Sequence, residues 1–315
     1  MVGVFAVSYT IVDLHIAAQS AILSEGGSIA GMMFVDKSPT LEGFFWKDGK
    51  TQKIEDARFI HAINAKGQIA LSRKDGPGRW TNGKFEAITG GNPGIPAGID
   101  DNGRVTCVQT TGSEGLYRVT VWPNEESKYG FAVPPRPGAV APDGTIVGTH
   151  NSGQMPRHDR PLGWLWSFGK QEVPIGDTKY RAFPNCISRK HRVGGYYSID
   201  ITSPPLPFEW ESGKFRPLSL PEGYVDGSAT ALNDRGETVG TCTLQLMENG
   251  VAVSRCDHGV LWKNWEFFDL NSLIPKDSEL EIIQTFGIND NGTILAKATP
   301  KKSRASLMLV LLKPN

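Results

Sequence analysis

The chain has little cysteine, little charge and no long hydrophobic run. Four cysteines in 315 residues are too few for the disulfide framework of small secreted domains. None falls in a CxxC pair, which removes the usual structural zinc sites. Lys plus Arg and Asp plus Glu are both 33, so no positive excess exists to displace counterions from a phosphate backbone, and a nucleic-acid partner is not expected. No apolar run approaches the roughly 20 residues that cross a bilayer as a helix, so membrane insertion is not expected either. The opening MVGVFAVSYTIVDLH lacks the basic n-region and small-residue cleavage site of a secretory leader and reads as a strand. On that ground the expectation is the cytoplasm, or the cell exterior for a processed form, and the sequence alone leaves the compartment open. HExxH, GxSxG and a helix-opening GxGxxG are missing, and with them the easily recognised metalloprotease, hydrolase and dinucleotide chemistries. No metal and no cofactor is expected.

What the chain does have is 36 Gly, 21 Pro and eight Trp, the composition of many short strands joined by tight turns. Self-similarity then selects the architecture. An apolar residue, a turn of the Asn-Asp-x-Gly type and a β-branched strand recur as ILSEGGSIAG, AINAKGQIAL, GIDDNGRVTC, AVAPDGTIVG, CISRKHRVGG, ALNDRGETVG and GINDNGTILA. The apolar anchors are Leu23, Ile63, Ile99, Val140, Ile187, Leu232 and Ile288. Their steps of 36 to 56 residues bracket the roughly 40–45 of a four-stranded propeller blade. Gly stands four positions after the anchor in six units, and the fifth has His191 there. A second signature, an apolar strand ending in Trp before another tight turn, gives Trp46, Trp80, Trp122, Trp166, Trp210 and Trp262 equivalent positions. An aromatic repeated in this way is expected to pack between blades rather than to stack on ligands.

Each unit supplies strand A through the anchor, B after the Gly turn, C ending at Trp, and D after the second turn. The seventh unit lacks its D, and the N-terminal strand, about residues 2–14, resembles the FFDL strand D of the sixth. The reading is one all-β domain over residues 1–315: a seven-bladed β-propeller of four-stranded antiparallel blades, closed by the N-terminal strand pairing in the C-terminal blade. Cys107 and Cys186 fall on inner strands as small core residues. Cys242 and Cys256 flank one hairpin, and either face each other in a disulfide or remain two thiols.

The alternation of INDNG-type turns with LW-x-x-G strands resembles the HAF-type extracellular repeat family of bacteria over nearly the whole chain, with the His-Ala-Phe that usually precedes the Trp strand degenerate here. The resemblance implies the blade architecture and an extracellular location, and no catalytic residue.

In an up-down-up-down blade the A–B and C–D turns share one face, and the B–C and D–A loops the other. The first are short throughout; the B–C connections vary and are longest in blades four to six. Variable loops on a rigid scaffold tend to carry function, so the B–C/D–A face is the expected working face. Blade four contributes His150, Asn151, Arg157, His158 and Arg160 there, blade five Tyr196, Tyr197 and Asp200, and blade six His258. Strand A adds Arg136 and Gln284 at the mouth of the central channel, with His61 and Asn185 one layer deeper. A polar, partly basic mouth suits a small polar or anionic ligand, such as a carbohydrate or a carboxylate, taken by a monomer. The alternative is a cofactor-free lyase or hydrolase at the same mouth, with His158 or His150 as general base and Arg157, Arg160 or Arg136 holding an anion. A second alternative is a protein-interaction scaffold on the same rim, and fold class does not choose among the three. Two motifs are discarded. GRWTNGK has phosphate-loop spacing but Phe85 in place of Ser or Thr and no helix after it. The DDNG and NDNG turns lack the alternating carboxylates of a calcium loop.

Overall fold

A computed structural model of the chain describes residues 7–35, 40–89, 94–111, 116–123, 126–131, 137–149, 163–167, 171, 173–176, 179–200, 202–248, 251–303 and 306–315. The repeat builds seven four-stranded antiparallel sheets, each in the order A-B-C-D, the arrangement of a seven-bladed propeller. Blade one is Ala18–Leu23, Ile29–Phe34, Leu41–Lys47 and Lys50–Ile54; blade two is Ala57–Ile63, Ile69–Arg73, Gly76–Thr81 and Lys84–Ala87. Blade five is Arg181–Ile187, Val193–Ser198, Leu206–Glu211 and Lys214–Pro217. Among the described residues the helical content is one 3-10 turn, Leu270–Ser272.

Blade seven takes Leu280–Ile288, Ile294–Pro300 and Met308–Pro314 from the C-terminal end of the chain, and its outer strand, Tyr9–Asp13, from the N-terminal end. Tyr9 pairs with Pro314 and Asp13 with Val310. Asn315 ties the seam further: its N–H donates to the Ser8 carbonyl at 3.1 Å, and its amide donates to Ser8 Oγ at 2.9 Å. The described part of the N-terminal strand is thus shorter than the 2–14 expected, and residues 1–6 lie outside the described residues.

The repeated turn works between blades as well as within them. Asn233 Oδ1 accepts from the N–H groups of Arg235 and Glu237 at 3.1 and 3.0 Å, closing its own turn. Its Nδ2 donates to the carbonyl of Asn289, the equivalent residue of the next blade, at 3.0 Å. Asn64 does the same, closing on Lys66 and Gln68 and donating to the Asp100 carbonyl at 2.9 Å. A second chain of bonds runs along this face. The Lys190 N–H donates to Asp234, the Asp234 N–H to Asp290, and the Asp290 N–H to Glu25 at 2.8 Å, so the last bond crosses from blade seven to blade one. Each of these bonds runs from a turn N–H to a side-chain carboxyl oxygen of the next blade's turn. The turn glycines sit at positive φ, as at Gly67 (79°) and Gly236 (90°). In the fifth blade His191 adopts φ 60° without that freedom, and its ring is held to Asp143 of blade four at 2.8 Å.

The repeated tryptophans seal the gaps between blades. Trp80, Trp166, Trp210 and Trp262 are buried, while Trp46 and Trp122 are half-buried. Trp80 meets Phe45 of blade one with ring centroids 5.1 Å apart, and Trp262 shares a buried cluster with Leu218, just past blade five. Between blades five and six the joint is charged. Arg192 and Glu209, 8% and 6% exposed at their side chains, pair at 2.6 Å. Thr238 of blade six donates to the other carboxylate oxygen, and Arg192 donates to the Asn233 carbonyl.

On strand B the position eight residues after the anchor is Gly in four blades. A Cβ on Gly31 would lie 2.1 Å from the Ser20 carbonyl oxygen and 2.9 Å from the Phe44 ring, because strand A carries a bulge between Ala18 and Ser20 that brings its backbone close. Gly31→Ala is therefore expected to destabilise the fold by about 2 kcal/mol, the size of an overpacking penalty, read as a lowered urea midpoint with unchanged slope.

Blade six departs from the loop expected between its strands B and C. The segment is a long hairpin, Glu237–Glu248 against Val251–Lys263, so Arg255, Asp257 and His258 stand on a strand. The register also decides the cysteines. Cys242 lies opposite His258 and Cys256 opposite Leu244; the two residues are offset diagonally, and none of the four cysteines is in a disulfide.

Candidate functional site

Strand A is the innermost strand of each blade, and alternate residues of it line the central channel. In blade five those residues are Arg181, Phe183, Asn185 and Ile187, all more accessible than the buried Ala182, Pro184 and Cys186 between them. A cavity of about 340 Å³ lies on the axis at the A–B turn end. Its wall is built from the ends of all seven A strands and includes His61, Asn185, Thr230 and Phe286, with Glu25, Asp101 and Arg189 at its rim. Arg189 and Asp101 pair across blades at 2.7 Å. Loop length pointed to one end of the channel, and this cavity occupies the other.

The polar groups within it are held in place. Asn185 Nδ2 donates to Ser228 Oγ at 2.9 Å, and Thr230 shares a hydroxyl bond with Thr285 at 2.7 Å. His61 Nε2 lies 2.9 Å from Ser72 Oγ. Burial pushes the His61 imidazole down from the usual 6.5 to about 4, so the ring is neutral at neutral pH. Below about 6.5 the unfolded chain takes up this proton and the folded chain does not, down to about 4. Stability is thus expected to fall as the pH drops through that window, and His61→Gln should remove this part of the dependence in urea titrations at pH 7 and 4.5.

Toward the B–C/D–A end of the same strands, Phe183 stacks on Tyr196 with ring centroids 4.7 Å apart and planes 13° from parallel. Arg181 stands beside them, its guanidinium 5.9 Å from the Phe183 centroid. Its buried Nε has no hydrogen-bond partner among the described residues. Phe59 and Ile95, near the starts of their A strands, are 63% and 64% exposed. Arg181 escaped the sequence reading, which took only the first residues of some strands; the alternation in RAFPNCI places it on the face of Asn185.

The structure separates the other expected site residues. Tyr196 and Tyr197 lie on strand B and point to opposite sides, so Tyr197 is buried against Tyr180 and Phe215 in the blade core instead of lining a loop. Asp200 accepts from Thr202 and Ser203 within its own turn, and those bonds lower its carboxyl to about 2. Gln284 stands on strand A of blade seven opposite Lys297. His258 belongs to a hydrogen-bonded group inside blade six, away from the axis. Arg136, His150, Asn151, Arg157, His158 and Arg160 lie outside the described residues. Among the described residues no group of three His, Cys, Asp or Glu is arranged to hold a metal ion.

No family model matches the chain, and no curated protein matches it. Among solved structures it is similar to the β-propeller domain of the Trilobed protease from Pyrococcus furiosus, at 13% identity over 95% of both chains with a TM-score of 0.61. It is also similar to the acylaminoacyl peptidase of Pyrococcus horikoshii (13% identity, 95% of this chain and 52% of that one, TM-score 0.60). A puromycin-hydrolyzing peptidase of Mycobacterium tuberculosis matches at 12% identity over 91% of this chain and 50% of that one, with a TM-score of 0.54. The chain spans about half the length of these two peptidases. Likeness at such identities is a likeness of fold. The first relative is described as having an open velcro topology, whereas here Tyr9–Asp13 closes the ring.

Proposed function

We propose that the chain is a ligand-binding propeller that takes a small polar molecule with an anionic group, such as a sugar acid or another carboxylate, in its central channel. The observation that carries this reading is the alignment along one strand of Arg181, whose buried Nε is unpartnered among the described residues, with Asn185, which lines the axial cavity. A guanidinium offers forked donors to a carboxylate, the Phe183–Tyr196 stack offers an apolar ring face, and Asn185 and Thr230 offer neutral polar contacts deeper in. Neutral His61 adds a site able to donate or accept without adding charge.

The test is to incubate the protein with a mixed metabolite and oligosaccharide extract and to identify by mass spectrometry what is retained. Arg181→Gln is expected to weaken retention of an anionic compound about tenfold or more, the loss of one charged hydrogen bond. Asn185→Leu should weaken it as well. Retention unaffected by either change removes the channel reading, and a compound converted rather than retained favours the lyase or hydrolase.

A second reading is supported by a separate observation. Most of the exposed large apolar side chains, including Phe34, Phe59, Ile95, Ile199, Met247 and Val253, stand at the B–C/D–A face. Apolar groups gathered on one face suit a protein partner. Met247→Ser with Val253→Ser would weaken that association and leave small-molecule retention unchanged.

A further inference from the structure

We infer that Cys256, on strand C of blade six, is a nucleophilic thiol assembled with His258 and Asp269, and that it undergoes exchange with small neutral or cationic disulfides. Cys256 Sγ lies 3.5 Å from His258 Nε2, and His258 Nδ1 lies 2.7 Å from Asp269 Oδ2. The two residues on strand C are separated by one position, so both side chains project from the same side of the hairpin. Asp269 reaches them from the end of strand D.

The orienting carboxylate is itself fixed. Tyr224 donates to Asp269 Oδ2 at 2.8 Å, and the N–H and side-chain amide of Asn271 donate to Oδ1 at 2.8 and 3.0 Å. Burial alone would raise the Asp269 carboxyl, but the bonds from His258, Asn271 and Tyr224 outweigh it and hold the group below the usual range. With Asp269 hydrogen-bonded at Nδ1, Nε2 of His258 is the ring nitrogen that faces the Cys256 sulfur, the placement by which a base activates a nucleophile. Burial, and then the Asp269 bond, raise the Tyr224 phenol, so it remains a donor.

The other three thiols are inert by comparison. Burial pushes Cys107 and Cys186 up to about 12 and raises Cys242 strongly, whereas Cys256 is half-buried. The charged groups around the site are mostly acidic. Asp226 and Asp257 act on the neighbouring Cys242. Glu281 of blade seven approaches His258 Nε2 at 3.6 Å, and Arg255 is turned to Gln245. That field repels anionic reagents and accepts neutral or cationic ones.

Exchange fits the site better than acyl transfer. Successive N–H groups of a strand point to opposite sides, so Cys256 and its neighbour cannot converge on one oxyanion. In the exchange the Cys256 thiol gives its proton to His258 Nε2 and the sulfur attacks one sulfur of R–S–S–R. The R–S–S–R bond breaks, a Cys256–S–S–R bond forms, and the departing RS⁻ takes the proton from His258. One disulfide is consumed and one formed, with no net oxidation.

The experiment is to treat the folded protein with 4,4′-dithiodipyridine, a neutral disulfide, follow thiopyridone release, and locate the adduct by peptide mass spectrometry. One thiol per folded chain should react in the fast phase, at Cys256, and four after unfolding in urea. Cys256→Ser should abolish the fast phase. At pH 6 His258→Gln should slow it about tenfold; at pH 9, where a thiol ionises without help, the gap should close to less than about threefold. Asp269→Asn should slow it at pH 6 as well, and Glu281→Gln should not. Cystamine, a cationic disulfide, should outpace oxidised glutathione, an anionic one. Should His258→Gln loosen the hairpin, more than one thiol would react quickly, and Asp269→Asn then decides. A fast adduct at another cysteine, or equal rates at pH 6 for the unaltered, His258→Gln and Asp269→Asn proteins, overturns the inference.

Discussion

Glu209→Ala is expected to lower stability by about 3–5 kcal/mol, the range seen when one partner of a buried ion pair is removed. The loss comes from what remains. Arg192 stays buried beneath blade five with its charge unpaired, still donating to the Asn233 carbonyl but facing a void where the carboxylate stood. Thr238 of blade six loses its acceptor at the same time, so the damage spans two blades. The double substitution Glu209→Leu with Arg192→Met should recover most of the loss, because a buried pair exchanged for apolar groups of similar volume is close to neutral. Urea midpoints of the unaltered protein, Glu209→Leu, Arg192→Met and their double give the coupling directly, and a Glu209→Ala protein within about 1 kcal/mol of the unaltered one would show that the carboxylate is not needed to compensate Arg192.

Deleting residues 1–13 is expected to open the closed ring and make it associate. The outer strand Tyr9–Asp13 covers Met308–Pro314, whose Leu309, Val310, Leu311 and Leu312 are buried. Without it that strand offers unpaired backbone groups and fresh apolar surface, the conditions for edge-to-edge pairing between copies. Light scattering coupled to gel filtration should show concentration-dependent oligomers or precipitation. A truncated chain that stays monomeric with an unchanged unfolding midpoint would mean that the seam contributes little.

The fold was legible because its constraints are periodic. An anchor and a polar turn recur seven times, with Gly four places after the anchor in six of them, and the structure shows what the repeat does. Asn233 and Asn64 each serve two blades, and the glycines stand at positive φ. The site was less legible because its geometry arises between repeats. Nothing in the local sequence of Asn185 announces that Ser228, four strands later on strand A of the next blade, will hold its amide. Arg181 was within reach, since strand alternation alone puts it on the channel face. The group around Cys256 was hidden for another reason. Its hairpin read as a loop, where adjacent residues have no fixed facing; as a ladder, its register brings Cys256 and His258 to one side and turns Asp257 away.

The closed ring also changes how the molecule can come apart. An open array of repeats has two outermost members, each held from one side, and it can fray from either end. Here the carboxylate of Glu25 and the strand Tyr9–Asp13 give blades seven and one a shared border, so every blade has a neighbour on both sides. Detaching any blade except through the seam requires breaking two borders at once. The seam is then the natural first point of failure under heat or force, and its rate of opening, more than the depth of any single core, sets how long the ring persists.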